Sequence, residues 1–156
     1  EFGTFFSCAN RNIRVTTSKL LALPTNLDGN GHIISFIIYA LRDLRNAVAH
    51  NGVVFDTRFK NAKVNKQLKT LLERETGLKN LDFKYFDTYI VLIAYVFRKM
   101  TTGTKECISF LHEYNKFCEG VFTKIPKEAY FEIVGTNHKT MLDSFEQWVL
   151  KAPKVS

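Results

Sequence analysis

Residues Ile33 to His50 read IISFIIYALRDLRNAVAH, and Ile34, Ile37, Ile38, Leu41, Leu44 and Val48 recur in them at steps of three and four. That spacing is the signature of one buried face on an α-helix. Upstream, Asp28-Gly29-Asn30-Gly31 supplies residues that tolerate positive φ, and downstream Asn51-Gly52 offers a left-handed C-terminal cap. The helix is therefore expected to end close to His50.

The same periodicity extends outward. Ala62 to Thr76 turns Val64, Leu68, Leu71 and Leu72 inward, is basic elsewhere, and stops at Gly77. Phe83 to Met100 is apolar on nearly every side, the pattern of a central helix in a bundle. Lys105 to Glu119 repeats the amphipathic pattern through Cys107, Ile108, Phe110, Leu111, Tyr114, Phe117 and Cys118, with an expected end at Gly120. Pro126 opens a short helix through Ile133, and Met141, Leu142, Phe145, Trp148 and Val149 form a last stripe. Thr4 to Asn10 and Ser18 to Leu23 give weaker helical signals, the latter stopped by Pro24. The expected fold is all-α, a helical bundle in a single domain over residues 1–156.

Composition narrows the class. The 156 residues are 46% hydrophobic and 24% charged, enough to bury one sizeable core. Eight Gly and three Pro are too few for a many-turned β chain, whereas 14 Phe and six Tyr suit thick interior helices. A net charge of +7 points to an anionic partner, nucleic acid before membrane. The longest run free of strongly polar side chains, Tyr89 to Phe97, is nine residues, against about 20 for a membrane span. Cys8, Cys107 and Cys118 are odd in number and form no CxxC pair, which fits a reducing compartment, and no secretory pattern opens the chain. The cytoplasm is the expected location. The opening Glu1-Phe2-Gly3-Thr4, without Met, reads as the interior of a longer protein.

Several site patterns fail on spacing. Asn26 to Gly31 begins like a calcium loop, but its twelfth position is Ile37 where a bidentate Glu is needed. His112-Glu113 starts like a zinc-protease helix, yet Lys116 stands where the second His belongs. No P-loop, dinucleotide fingerprint or nucleophile elbow is present, and His32, His50, His112 and His138 are scattered. No metal and no cofactor are expected. Cys107 and Cys118 read as core thiols.

Arg45-Asn46-Ala47-Val48-Ala49-His50 is the segment left to weigh. At about 100° per residue, Asn46 and His50 share a polar side with Tyr39 and Asp43, while Arg45 lies roughly 140° from His50, beside Ile34, Ile38 and Leu41. A charge in an apolar stripe must meet an acid of another helix, a second subunit or an anion. A structural ion pair with an exposed His is one reading of that geometry, and a ligand site is the other.

Ala40 to Asn51 resembles the leucine-arginine-asparagine, alanine-histidine signature of Abi-like (abortive infection) proteins in the HEPN superfamily of α-helical domains. Phe2-Gly3-Thr4 resembles the phenylalanine-glycine-threonine step of that family, and Tyr85 to Met100 resembles the helix following the motif. The likeness spans the chain to about Met100 and loosens beyond; Val53 to Leu81 departs from the family pattern, and the family's N-terminal half has no counterpart here. The resemblance implies a HEPN-like bundle and a metal-independent endoribonuclease of abortive-infection or toxin-antitoxin type, with Arg45, Asn46 and His50 catalytic. It further implies a homodimer whose motif helices build one composite site, with RNA as substrate and an antitoxin as a further partner.

The chemistry suits such a role. Cleavage through a 2′-hydroxyl needs a proton carrier near neutral pH, which His provides, and a fixed cation beside the phosphorane, which Arg provides in a bidentate geometry. His50, in the last helical turn, is expected to be partly protonated by the carbonyl end of the macrodipole. Arg42, Asn51, Arg58, Lys60, Lys63 and Lys66 are the expected RNA-contacting residues, with Lys69 extending the three-residue lysine spacing. The alternative is a non-catalytic HEPN module that binds RNA, a nucleotide or a partner protein.

Overall fold

The computed structural model describes residues 2–24, 26–49, 64–100 and 103–152. Among them lie eight helices and no strand: α1 (Phe2–Cys8), α2 (Arg11–Leu20), α3 (Ile33–Ala49), α4 (Lys66–Thr76), α5 (Phe86–Lys99), α6 (Thr104–Phe122), α7 (Lys127–Val134) and α8 (His138–Lys151). The all-α expectation holds. None of these helices is long and apolar enough to cross a membrane.

Two helices organise the rest. α3 touches α1, α2, α4 and α5, while α5 touches α3, α6, α7 and α8. Nine residues of α5, from Asp87 to Arg98, are buried, as its all-round apolarity requires. The core runs from Ile33, Ile37 and Leu44 through Leu68, Leu71 and Leu72 to Tyr89, Leu92, Tyr95, Leu111, Phe145 and Val149.

The turn before α3 works as a cap. The Asp28 carboxylate accepts the N–H groups of His32 at 2.6 Å and Ile33 at 3.1 Å, and the Ser18 hydroxyl donates to it at 3.0 Å. It thus satisfies backbone donors that the first helical turn leaves without partners. Gly31 follows at φ 69°, where a Cβ would come within 2.5 Å of the Arg14 backbone. Only glycine lets α2 approach that closely.

Several helix ends differ from the sequence reading, the start of α5 among them, at Phe86 rather than Phe83. The basic helix begins at Lys66, not Ala62, because Asn65 is extended and its side chain accepts the Gln67 N–H at 2.8 Å; Gly77, at φ 74°, closes it as expected. α6 runs through Gly120 to Phe122: a helical glycine costs only about 1 kcal/mol, against the packing of Val121 on the core and of Phe122 on Tyr130. The second helix is Arg11–Leu20 rather than Ser18–Leu23. Its residues are mostly polar, and it is held by the Asn10 cap and by Arg11 and Arg14, which donate to the Gly29 and Asn30 carbonyls. The first helix is Phe2–Cys8, two residues earlier at each end than expected.

Side-chain placement also corrects the pattern in places. Phe117, assigned to the α6 stripe, is 62% exposed, and Val48, assigned to the α3 face, is 55% exposed. Arg98 is buried, donating to the Ala152 carbonyl at 2.6 Å and to that of Val149 at 3.5 Å. A cation from α5 thereby closes the carbonyl end of α8.

Candidate functional site

Beyond Leu44 no described residue of α3 is fully buried, although Ala47 still packs against the core. Its buried face is centred on Ile33, Ile37, Ala40 and Leu44, and Arg45, about 100° further round, is exposed. The expectation of a charge set inside an apolar stripe is therefore corrected: Arg45 stands at the stripe's edge, in water. Its Nη1 donates to Asn46 Oδ1 at 3.0 Å, and no carboxylate pairs with it among the described residues. The structural ion pair with another helix is not formed there.

One turn earlier, Arg42 donates twice to Asp43 Oδ1, at 2.8 and 3.1 Å, with its guanidinium 5.0 Å from the centre of the Tyr39 ring. Exposure on both partners keeps that ion pair weak. Phe36, Tyr39, Arg42 and Asp43 line a cleft of about 290 Å³ with Val64 and Asn65, next to the exposed Lys66. Lys69 is not free, standing 3.7 Å from Glu73. His50, Asn51, Arg58, Lys60 and Lys63 lie outside the described residues.

α1 packs against α3 just before the Ala40–Asn51 segment. Gly3 of α1 packs on α3 so closely that a Cβ would lie 3.0 Å from both Ile38 and Tyr39. The Ser7 hydroxyl stands 3.4 Å from that of Tyr39. Hydrogen bonding from Ser7, then Thr4, draws the Tyr39 phenol below its ordinary value. α1 therefore buttresses the helix that displays Arg42 and Arg45.

A second polar cluster escaped the sequence reading. His138 Nδ1 lies 2.8 Å from Asp87 Oδ2, and the Tyr114 hydroxyl donates to Asp87 Oδ1 at 2.6 Å. The three residues come from α8, α5 and α6, and all are buried. Burial alone would discharge the imidazole, but the hydrogen bond and charge of Asp87, with Cys118 alongside, outweigh it and raise His138 to about 9. The Tyr114 phenol is pushed far up by burial and then by the Asp87 charge. The available signal was Asp87 itself, a carboxylate in an otherwise apolar helix, which must find partners. A cleft of about 80 Å³ bordered by Lys79, Asn80 and Gly135 reaches Asp87 and His138 from outside.

His112 is engaged by Glu146 at 3.2 Å. Cys107 and Cys118 are buried free thiols, as expected, and Cys8 is an exposed one. Among the described residues no three His, Cys, Asp or Glu side chains stand together as metal ligands would.

The chain matches no protein-family model, no curated protein and no solved structure.

Proposed function

We propose that the chain is an Abi-like protein of the HEPN superfamily and acts as a metal-independent endoribonuclease in phage defence or as the toxin of a toxin-antitoxin pair. The observation that carries this reading is the state of Arg45: exposed, aimed by Asn46, and without a carboxylate partner among the described residues. A guanidinium so held is preorganised for a phosphate or for the charge that builds on a phosphorane. In this reading His50 moves the proton and Arg42 and Lys66 hold the RNA backbone along the adjoining cleft.

A second copy completes the site. Val48, three residues beyond Arg45, leaves an apolar side chain in water at the same end of α3, which supports pairing of two motif helices there.

The test is incubation of total RNA, in EDTA, with the wild type, Arg45→Ala and His50→Ala. Cleavage by the wild type that falls about 100-fold or more in either variant is the expected result. Intact RNA with the wild type, or equal cleavage by all three, overturns the enzyme. RNA bound by the wild type and left whole would mark a non-catalytic module. Light scattering that shows a monomer at high micromolar concentration would remove the composite site.

A further inference from the structure

A cavity of about 270 Å³ lies on the other side of α3 from Asn46, walled by Ile34, Ile37 and Ile38, by Leu23 from the turn after α2, and by Tyr95 and Lys99 of α5. Its exposed lining is wholly apolar. Water is a poor occupant of such a space, having no polar partner to hold it, and an unfilled one forfeits dispersion contacts. An apolar cavity of about 150 Å³ accepts a benzene ring, so this one has room for roughly ten heavy atoms.

Its wall is propped. Ala22, at φ 48°, holds a left-handed conformation that a non-glycine residue rarely adopts, and its carbonyl accepts a hydrogen bond from Lys99 Nζ at 3.1 Å. Strained backbone of this kind persists where its surroundings fix it. Here the fixing group is a lysine that also reaches Glu75 Oε2 at 2.9 Å. The Leu21–Leu23 turn is thereby kept from settling into the space beneath it.

We propose that this cavity binds one small uncharged amphiphile, a hydrocarbon chain or ring bearing a hydroxyl, ester or amide oxygen. The hydrocarbon part fills the isoleucine wall. No polar atom is exposed on the lining, because Lys99 has its ammonium on Ala22 and Glu75 and the Tyr95 hydroxyl is buried. A charged head would therefore lose its hydration without gaining a partner, whereas an uncharged oxygen gives up little by resting at the mouth of the cavity.

The probe is 1-octanol, titrated into the whole chain while the isoleucine methyl groups are followed by NMR. The expected result is saturable shifts at Ile34, Ile37 and Ile38, with Ile133 unmoved, and binding of octanoate about tenfold or more weaker. Leu41→Trp, placed on the half-buried rim, and Ile37→Trp, deeper in the wall, should each abolish the shifts; a cooperative thermal melt identifies the variant that has folded. No saturable shift up to the solubility limit of octanol overturns the site, as do equal shifts at every isoleucine. Octanoate binding as tightly as octanol overturns the uncharged head.

Discussion

Asp87, Tyr114 and His138 on one side, and Arg45 and Asn46 on the other, are both small clusters of polar side chains on helices, but they use their valences in opposite ways. In the first, the three residues are buried and bond one another across helices, with only His138 Nε2 left without a partner among the described residues. In the second, Arg45 bonds only its neighbour in sequence among the described residues and stands in solvent. A closed cluster holds the helices that built it; an open one is free to hold something else. The contrast ties the α5, α6 and α8 face to stability and leaves the end of α3 as the place where the proposed recognition would occur.

The largest expected effect is at the closed cluster. Asp87→Ala would leave the imidazole and the Tyr114 hydroxyl buried without their acceptor, and urea unfolding should show a loss of about 3–5 kcal/mol. A loss below about 1 kcal/mol would mean that the cluster ties nothing.

Next comes its pH dependence. His138 binds its proton more tightly folded, near 9, than unfolded, near about 6.5. Its contribution is therefore complete below about pH 6.5 and disappears as pH climbs through 9, on the order of 3 kcal/mol in all. The stability difference between wild type and His138→Gln, followed from mildly acid to alkaline pH, should shrink accordingly; a constant difference would show that His138 is not charged in the fold.

At the start of α3, Asp28→Ala should cost about 1–2 kcal/mol by denaturant unfolding. A neutral result there would mean that packing alone sets the helix start. The smallest effect should be Arg45→Ala, with stability within about 0.5 kcal/mol of wild type. The same variant should lower the salt slope of RNA binding by about 1. Destabilisation beyond about 1 kcal/mol would place Arg45 among the residues that hold the fold and erase the contrast.

Much of the architecture was legible because apolar residues at helical spacing have few alternatives to burial. α3 and α5 follow directly from that rule. The second helix was hidden, since only Ser18 of its ten residues is buried and its docking depends on Arg11 and Arg14 meeting carbonyls many positions away. Gly120 misled for a related reason: a residue that weakens a helix locally is overruled when the chain beyond it still packs. For the sites, sequence spacing could place Arg45 and Asn46 on one helix but could not set how far the core extends beneath them. The Asp87–His138 pair, 51 positions apart, has no local pattern at all. Its only trace was a carboxylate where hydrocarbon was expected.

Arg98 gives the bundle an order of assembly. Its guanidinium is buried only when the Val149 and Ala152 carbonyls are there to receive it. During synthesis, α5 leaves the ribosome some fifty positions before those acceptors, and a chain grows from its N-terminus at about 5–20 residues per second. For those seconds the last turn of α5 must keep a charged side chain in water, so that its final docking waits for α8. Pulse-labelled amide exchange during refolding should accordingly protect the Ile90–Ala94 amides before those of Phe97 to Lys99; simultaneous protection would show that α5 docks without its distant partner.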